Sequence, residues 1–293
     1  MNTPAVPSGK TLVAPAAAPP PAPRRVDPRL YQIATLAGLL GYGVLALGLD
    51  VQPATAAVTL AGALVAQGAG AWATRGRFDP RSALISGLSL CLLLRTSSPG
   101  LAVVAAVLAV ASKFVVRVRG KHVFNPTNIA IVTMLLLTSR VWVSPGQWGN
   151  AAVFAFLLAA AGGLVVNRAA RADVTWTFLA AHAALALVRA LWLGDPLAVP
   201  LHRLGNGALV LFAFFMISDP RSTPDSRAGR VLFAILVALG THVVQFHLFQ
   251  TNPLLWSLAA CSLAVPSIDR LLPGRRYDWN APGIGRAPER SLP

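Results

Sequence analysis

Two short polar stretches interrupt a mostly apolar sequence. The first is Lys121-His122-Val123-Phe124-Asn125-Pro126-Thr127-Asn128, the second Ser218-Asp219-Pro220-Arg221-Ser222-Thr223-Pro224-Asp225. Asn-Pro is a helix-opening pair. The Asn side chain accepts from free first-turn N–H groups, and Pro has no N–H to leave unspent there. A helix start of this kind offers donors and partial positive charge to an anion or a polar ring. Asp219 stands directly before a proline at a helix end, where its carboxylate caps N–H groups or pairs with Arg221, Arg227 or Arg230. Each stretch also reads as a capped, solvated loop. The functional reading is a paired, symmetry-related site for a cofactor or partner. Its candidate residues are Lys121, Phe124, Asn125, Pro126, Thr127 and Asn128, with Asp219, Pro220, Ser222, Thr223 and Asp225.

Other chemistries find little support. The sequence has no P-loop, GxGxxG, HExxH or GxSxG pattern, so ATP hydrolysis and nucleophilic hydrolysis are not indicated and no catalytic residue stands out. Carboxylates inside membrane segments are the usual proton or cation relays. Here Asp50, Asp79, Asp173, Asp195, Asp219, Asp225 and Asp269 all fall at the ends of apolar runs, which argues against an autonomous ion pump. His182 and Arg189 share a helical face, and His242 and His247 lie near a helix end, with no second pair at matching depth to ligate haem. Cys91 and Cys261 both sit in apolar runs without metal-ligand spacing, so no metal site is expected.

The elements that must position these residues follow from composition. The 293 residues are 55% hydrophobic and 12% charged, with a mean hydropathy of +0.61. Soluble domains carry about 25% charged residues, so a soluble enzyme of this size is excluded. A net charge of +15 and a pI of 11.6 would point to nucleic acid if the cations were clustered. Instead they punctuate the apolar runs, as loops do between membrane helices. Membrane lipid, not nucleic acid, is the expected partner.

A spanning helix needs about 20 apolar residues. Apolar windows lie at 31–49, 54–73, 82–94, 100–116, 128–143, 150–167, 174–192, 205–218, 230–248 and 254–268, predicting about ten spans. With both termini cytoplasmic, eighteen Lys and Arg fall on the inner side, and only Arg95, Arg140, Arg189 and Arg203 on the outer. Trp142, Trp148 and Trp192 mark outer ends. Residues 1–26 read as a Pro/Ala-rich cytoplasmic tail, 27–271 as the membrane domain and 272–293 as a flexible cytoplasmic tail.

An internal repeat organises the domain. LLLRTSSP at Leu92–Pro99 corresponds to FMISDPRSTP at Phe215–Pro224, and each is followed by an apolar helix. Then come Phe124-Asn125-Pro126 and Thr251-Asn252-Pro253, each opening another span. The spacing is 26 positions from Pro99 to Asn125 and 28 from Pro224 to Asn252. The fold class expected is therefore an all-α polytopic membrane protein. Its spans form two inverted five-helix repeats, about 30–143 and 150–270, with a site between them lined by helix ends.

Phe124-Asn125-Pro126 ahead of an apolar helix, and Asp219-Pro220-Arg221-Ser222-Thr223-Pro224 closing a short span, resemble the RnfD/NqrB family. Its members are ten-span subunits of the Rnf and sodium-translocating NADH:quinone oxidoreductase complexes. The resemblance covers about residues 27–271 in span count and orientation. It also extends to short relatives associated with enediyne biosynthesis. It implies a bacterial inner-membrane protein, partner subunits of a membrane redox complex, and flavin. Family members carry FMN on a Thr in an extracytoplasmic loop before span 8. Here that loop, Gly194 to Leu204, has no Ser or Thr, so it offers no acceptor for a covalent FMN. Noncovalent FMN or riboflavin between the helices is the cofactor expected instead.

Three functions follow from these observations. The first is a redox-complex subunit coupling flavin-linked electron transfer to transmembrane transport, enzymatic only as part of an oxidoreductase or translocase. The second is a redox-inactive transporter or export protein on the same scaffold, linked to secondary-metabolite biosynthesis. The third is a structural anchor for partner subunits.

Overall fold

The computed structural model describes residues 27–46, 48–144 and 171–277. The expected N-terminal tail, the window at 150–167, Trp148 and most of the C-terminal tail lie outside the described residues.

The first part of the chain forms α1 (Pro28–Ala46), α2 (Pro53–Ala73), α3 (Pro80–Leu93), β1 (Leu94–Thr96), α4 (Pro99–Val115), β2 (Arg117–Val118), β3 (Lys121–His122), α5 (Pro126–Leu137) and β4 (Val141–Val143). The second forms α6 (Ala172–Leu193), α7 (Ala198–Leu204), α8 (Gly207–Met216, whose last turn from Phe212 is a π-helix), α9 (Arg227–Phe246), α10 (Pro253–Ser262) and α11 (Val265–Leu271). Among the described residues, α2, α6 and α9 are long and apolar enough to cross a membrane. Two further pairs qualify jointly but are bent, α7 with α8 by 48° and α10 with α11 by 49°. The protein is thus a mainly helical membrane protein whose long helices are joined by short and broken ones.

Local chemistry explains where the helices begin. Pro53, Pro80, Pro99, Pro126 and Pro253 each occupy the first turn, where a missing N–H costs nothing. Asp79, Asn125, Asn206 and Ser226 cap through their side chains. Asn252 differs from Asn125: it takes a left-handed φ of 57° and makes no side-chain cap.

The window expected at 128–143 is not one helix. The helix stops at Leu137, and Val141–Val143 pairs antiparallel with Leu94–Thr96, setting Arg95 opposite Trp142. Arg95, expected in an outer loop, is buried. Its guanidinium donates to the carbonyls of Cys91, Leu92 and Leu94, satisfying acceptors that the end of α3 leaves free.

Packing places the short helices at the centre. The residues of α8 are almost all buried, as are most of α3 and half of α5. The long helices carry exposed apolar side chains, among them Val65 and Trp72 on α2 and Trp176, Leu191 and Trp192 on α6. Helix α2 packs on α4 and α6 packs on α9; α4 packs on α5 and α9 packs on α10; α5 meets α10 at the centre.

Candidate functional site

The first turn of α5 is the hub. The Asn125 side chain accepts from the Asn128 N–H at 3.0 Å and donates to the Met216 carbonyl at 3.2 Å, tying the start of α5 to the end of α8. Asn128, fully buried, donates to the Leu255 carbonyl in the first turn of α10 at 3.2 Å. Its Oδ1 has no partner among the described residues.

A cavity of about 230 Å³ opens beside this junction. Asn125, Pro126, Thr127, Met216 and Asp219 line it from the polar stretches and from α8. The first half of the chain supplies side chains that sequence reasoning did not single out. These are Gln67 on α2, Ser82, Ser86 and Ser89 on α3, Lys113 on α4, and His122. Lys113 is 6% exposed and its ammonium donates to the Ser82 carbonyl at 2.8 Å and hydroxyl at 3.0 Å. Gln67 is also 6% exposed, and its Oε1 has no partner among the described residues. A lone Lys and a lone Gln inside apolar windows were the available signals.

Asp219 caps its own turn. Its carboxylate accepts from the Arg221 N–H at 3.1 Å and the Ser222 hydroxyl at 3.0 Å, while its carbonyl accepts from the Thr223 hydroxyl at 3.0 Å. The expected pairing with Arg230 is not formed; that guanidinium grips Asp173 and the Asp225 carbonyl. Burial pushes the Asp219 carboxyl above the usual carboxylate range, against the two hydrogen bonds and the nearby charge of Lys113. Burial, reinforced by Arg221, Arg117 and Lys113, pulls the His122 imidazole down to about 3, so it is neutral at pH 7. At the rim, Asp27, Arg29, Asp79 and Arg81 form a neutral tetrad, with Arg29 bonded to both carboxylates.

Not all candidate residues meet in this cavity. Lys121 and Asp225 lie in a separate cleft of about 250 Å³, where the Lys121 ammonium bridges Asp225 at 2.9 Å and Asp269 at 2.7 Å. Pro220 gives its carbonyl to the Arg171 guanidinium at 3.5 Å. Burial, with the nearby Arg230 charge, lowers the Arg171 pKa to about 10. Ser222 and Thr223 are buried supports of the Asp219 turn, and half-buried Phe124 lines neither space.

A second cavity of about 240 Å³ lies on the other side of Met216, which lines both. It is lined by Asn252-Pro253 at the start of α10, by Thr241 and His242 on α9, and by Leu93 at the end of α3. His182 also faces it and stacks on Phe178 with centroids 5.6 Å apart. Its walls are mostly apolar, whereas the first cavity mixes carboxylates, cations, hydroxyls and amides.

Comparison with known proteins finds similarity in the second half of the chain. The model of the NQR2, RnfD, RnfE family matches residues 136–278. Residues 136–278 are thus similar to the NQR2, RnfD, RnfE family. Among curated relatives, the ion-translocating oxidoreductase complex D subunit of Alcanivorax borkumensis is 35% identical over 145 residues, 47% of this chain and 40% of the relative. The same component in Ectopseudomonas mendocina is 31% identical over 151 residues, 48% and 42% of the two chains. Its counterpart in Erwinia tasmaniensis is 31% identical over 135 residues, 45% and 36%. The chain therefore matches about two-fifths of the length of these relatives.

The family match runs through the Asp219 turn, both bent helix pairs and the Gly194–Leu204 loop. That loop leaves α6 through Gly194 in a left-handed conformation and enters α7 at Ala198. It carries no hydroxyl side chain, so a phosphoester-linked FMN does not fit it. The first cavity does suit a noncovalent polar ring. Gln67 Oε1 would accept an N–H of such a ring, Lys113 would meet a carbonyl or an anion, and the α5 start would add donors.

Proposed function

We propose that this chain is an integral membrane subunit of an RnfD/NqrB-like electron transport complex, in which flavin-linked electron transfer is coupled to transmembrane transport. The observation that carries the reading is the family match over residues 136–278, whose Asp219 turn joins the first-half helix starting at Asn125 in one polar cavity. The cofactor of the reading is a noncovalent flavin in that cavity. A flavin supplies one- and two-electron chemistry when bound. The chain's own part is to hold the ring: Gln67 and Lys113 face its polar edge, and Phe215 and Met216 give it an apolar wall.

The scaffold of this reading is ten spans in two inverted five-helix repeats, in the bacterial inner membrane with both termini cytoplasmic. Matching neighbour pairs support it, α2 on α4 with α6 on α9, and α4 on α5 with α9 on α10. Asn125-Pro126 lines one cavity and Asn252-Pro253 the other, as a pseudo-two-fold between the halves requires. The exposed apolar faces of α2 and α6 suit lipid, and partner subunits complete the electron path.

A redox-inactive transporter or export protein is the alternative, favoured by the missing hydroxyl acceptor and by two cavities back to back across Met216. The deciding experiment is purification of the chain in mild detergent with its co-purifying partners. Visible flavin absorbance and electron uptake from NADH or ferredoxin are expected. A colourless preparation whose proteoliposomes take up substrate with no electron donor selects the alternative.

A further inference from the structure

The ends of α2 and α4 expose cations and apolar side chains together. Helix α2 carries Trp72 in its last turn and runs into Thr74-Arg75-Gly76-Arg77-Phe78; α4 ends at Val115 and runs into the β2–β3 hairpin, Arg117-Val118-Arg119-Gly120-Lys121. Trp72 is 86% exposed, Val115 79% and Phe78 55%, and Arg75, Arg77, Arg117 and Arg119 are exposed among them. Both turns rise from one end of a packed helix pair, because the Phe78 ring lies over Gly68 and the Phe114 ring against Gly70, both on α2.

The charge at this end is unspent. Arg29, Arg81, Lys121 and Arg230 each hold a carboxylate. Among the described residues, none of the four exposed arginines has a carboxylate within ion-pair distance. Backbone strain singles out two of them. Arg75 and Arg119 take left-handed φ values of 50° and 51°, which residues with a side chain rarely adopt, and in each case a glycine is the next residue. Arg119-Gly120 is the two-residue loop of the hairpin, with both φ values positive. Such loops favour Asn, Asp or Gly at the first position. An arginine there costs the fold stability, which points to a use for its side chain outside the fold.

A nucleic acid or an acidic peptide matches the arginines but leaves Trp72, Val115 and Phe78 in water. A phospholipid matches both. Its phosphate meets the arginines, and its acyl chains meet the apolar side chains, which continue along α2 through the exposed Val65. We propose that the Arg75 turn and the Arg119 hairpin tip form a docking surface for anionic phospholipid headgroups. The proposal needs only the membrane character of the chain and is independent of any cofactor.

The test offers phosphatidylglycerol or phosphatidylcholine, at equal concentration, to the full chain purified in mild detergent and counts retained lipid by native mass spectrometry. Phosphatidylglycerol should be retained in preference by about tenfold or more. The double variant Arg75→Gly, Arg119→Gly removes two cations and gives both left-handed positions the residue they favour. It should keep the wild-type thermal midpoint while its phosphatidylglycerol retention falls by about tenfold or more. Arg77→Gln, away from the strained positions, should lower retention by about fivefold even if the glycines disturb the turns. Arg270→Gln, an exposed cation near the end of α11, is the control and should retain lipid as wild type does. Equal retention of the two lipids, an unchanged preference in the Arg75, Arg77 and Arg119 variants, or an equal loss in the control would each overturn the proposal. Displacement of the lipid by glycerol 3-phosphate or by polyglutamate would also overturn it, by showing that the surface takes a soluble anion or an acidic protein.

Discussion

Lys121 and Asp225 are 104 residues apart in sequence and joined by an ammonium–carboxylate contact of 2.9 Å. The contact fastens the β2–β3 hairpin to the loop between α8 and α9, and Asp269 on α11 shares the same ammonium. All three side chains are less than one-fifth exposed. Removing one partner from a buried ionic cluster costs on the order of 3 kcal/mol, because the remaining charges lose their counter-ion. Lys121→Ala should therefore lower the thermal midpoint of the detergent-solubilised protein, and adding Asp225→Asn should recover part of the loss. An unchanged midpoint in Lys121→Ala would show that the clamp is idle.

The same contact puts both residues on one side of the molecule. Arg119 and Arg227 are exposed neighbours of the clamp. Cysteines placed at these two positions should react with a membrane-impermeant maleimide from one and the same face, the cytoplasmic one. Reaction from opposite faces would refute the even number of crossings between them.

His122 gives a pH signature. Its folded pKa is depressed to about 3 by burial and by the cations of Arg221, Arg117 and Lys113, against an ordinary value of 6.5. Below pH 6.5 the unfolded chain takes up a proton that the folded protein refuses. Stability therefore falls as pH drops from 6.5 toward 3, by at most about 1.4 kcal/mol per unit from this group. His122→Asn should flatten that part of the stability–pH curve. A curve with the same slope would mean that the imidazole is solvated.

Much of this architecture was legible in the sequence because it depends on local rules. Apolar windows, first-turn prolines and capping Asn or Ser residues locate nine of the eleven described helix starts to within a few residues; the windows do not separate α7, inside the expected outer loop, or α11, inside the window 254–268. What sequence could not give is which polar residues meet. Lys121 and Asn125 are four positions apart and would be expected to share a site. The β2–β3 turn sends Lys121 to Asp225 and Asp269, while Asn125 faces Lys113 and Gln67 from other helices. Asn252 matches Asn125 as a letter pattern but not as a cap, because its backbone is left-handed. Arg95 counts as an outer cation by topology, yet three carbonyls at the end of α3 hold it inside the fold.

That last contact predicts a large effect from a residue far from the polar cavity. Arg95→Met keeps the apolar stem and removes the donors. Three carbonyls then lose their guanidinium donor in a buried setting, each such loss costing about 1–3 kcal/mol. Poor expression or a sharply lowered thermal midpoint is expected. The neighbouring Arg140→Met, on an exposed turn, serves as the control and should behave as wild type.

The Gly194–Leu204 loop makes a chemical prediction that needs no activity assay. With no hydroxyl side chain, it cannot form the phosphoester that would hold FMN through denaturation. Denatured protein should show no in-gel flavin fluorescence, and its intact mass should equal that of the polypeptide. A mass increment of one FMN would place an acceptor elsewhere in the chain and overturn the noncovalent reading.

Asp219 separates capping from charge. Its carboxyl is raised by burial, so the folded protein holds the proton more tightly than the unfolded chain, whose value is near 3.8. The contribution is favourable below that value and is lost as pH rises through the folded pKa. At neutral pH the raised pKa is thus a burden on stability, offset by the Arg221 N–H and Ser222 hydroxyl that the side chain accepts from. Asp219→Asn keeps an acceptor oxygen and removes the charge, so its thermal midpoint at pH 7 should equal or exceed that of wild type. Asp219→Ala loses the cap as well and should fall below the Asn variant by about 1 kcal/mol. If the two substitutions proved equally stable, the cap would contribute nothing, and the position would be free to serve the cavity alone.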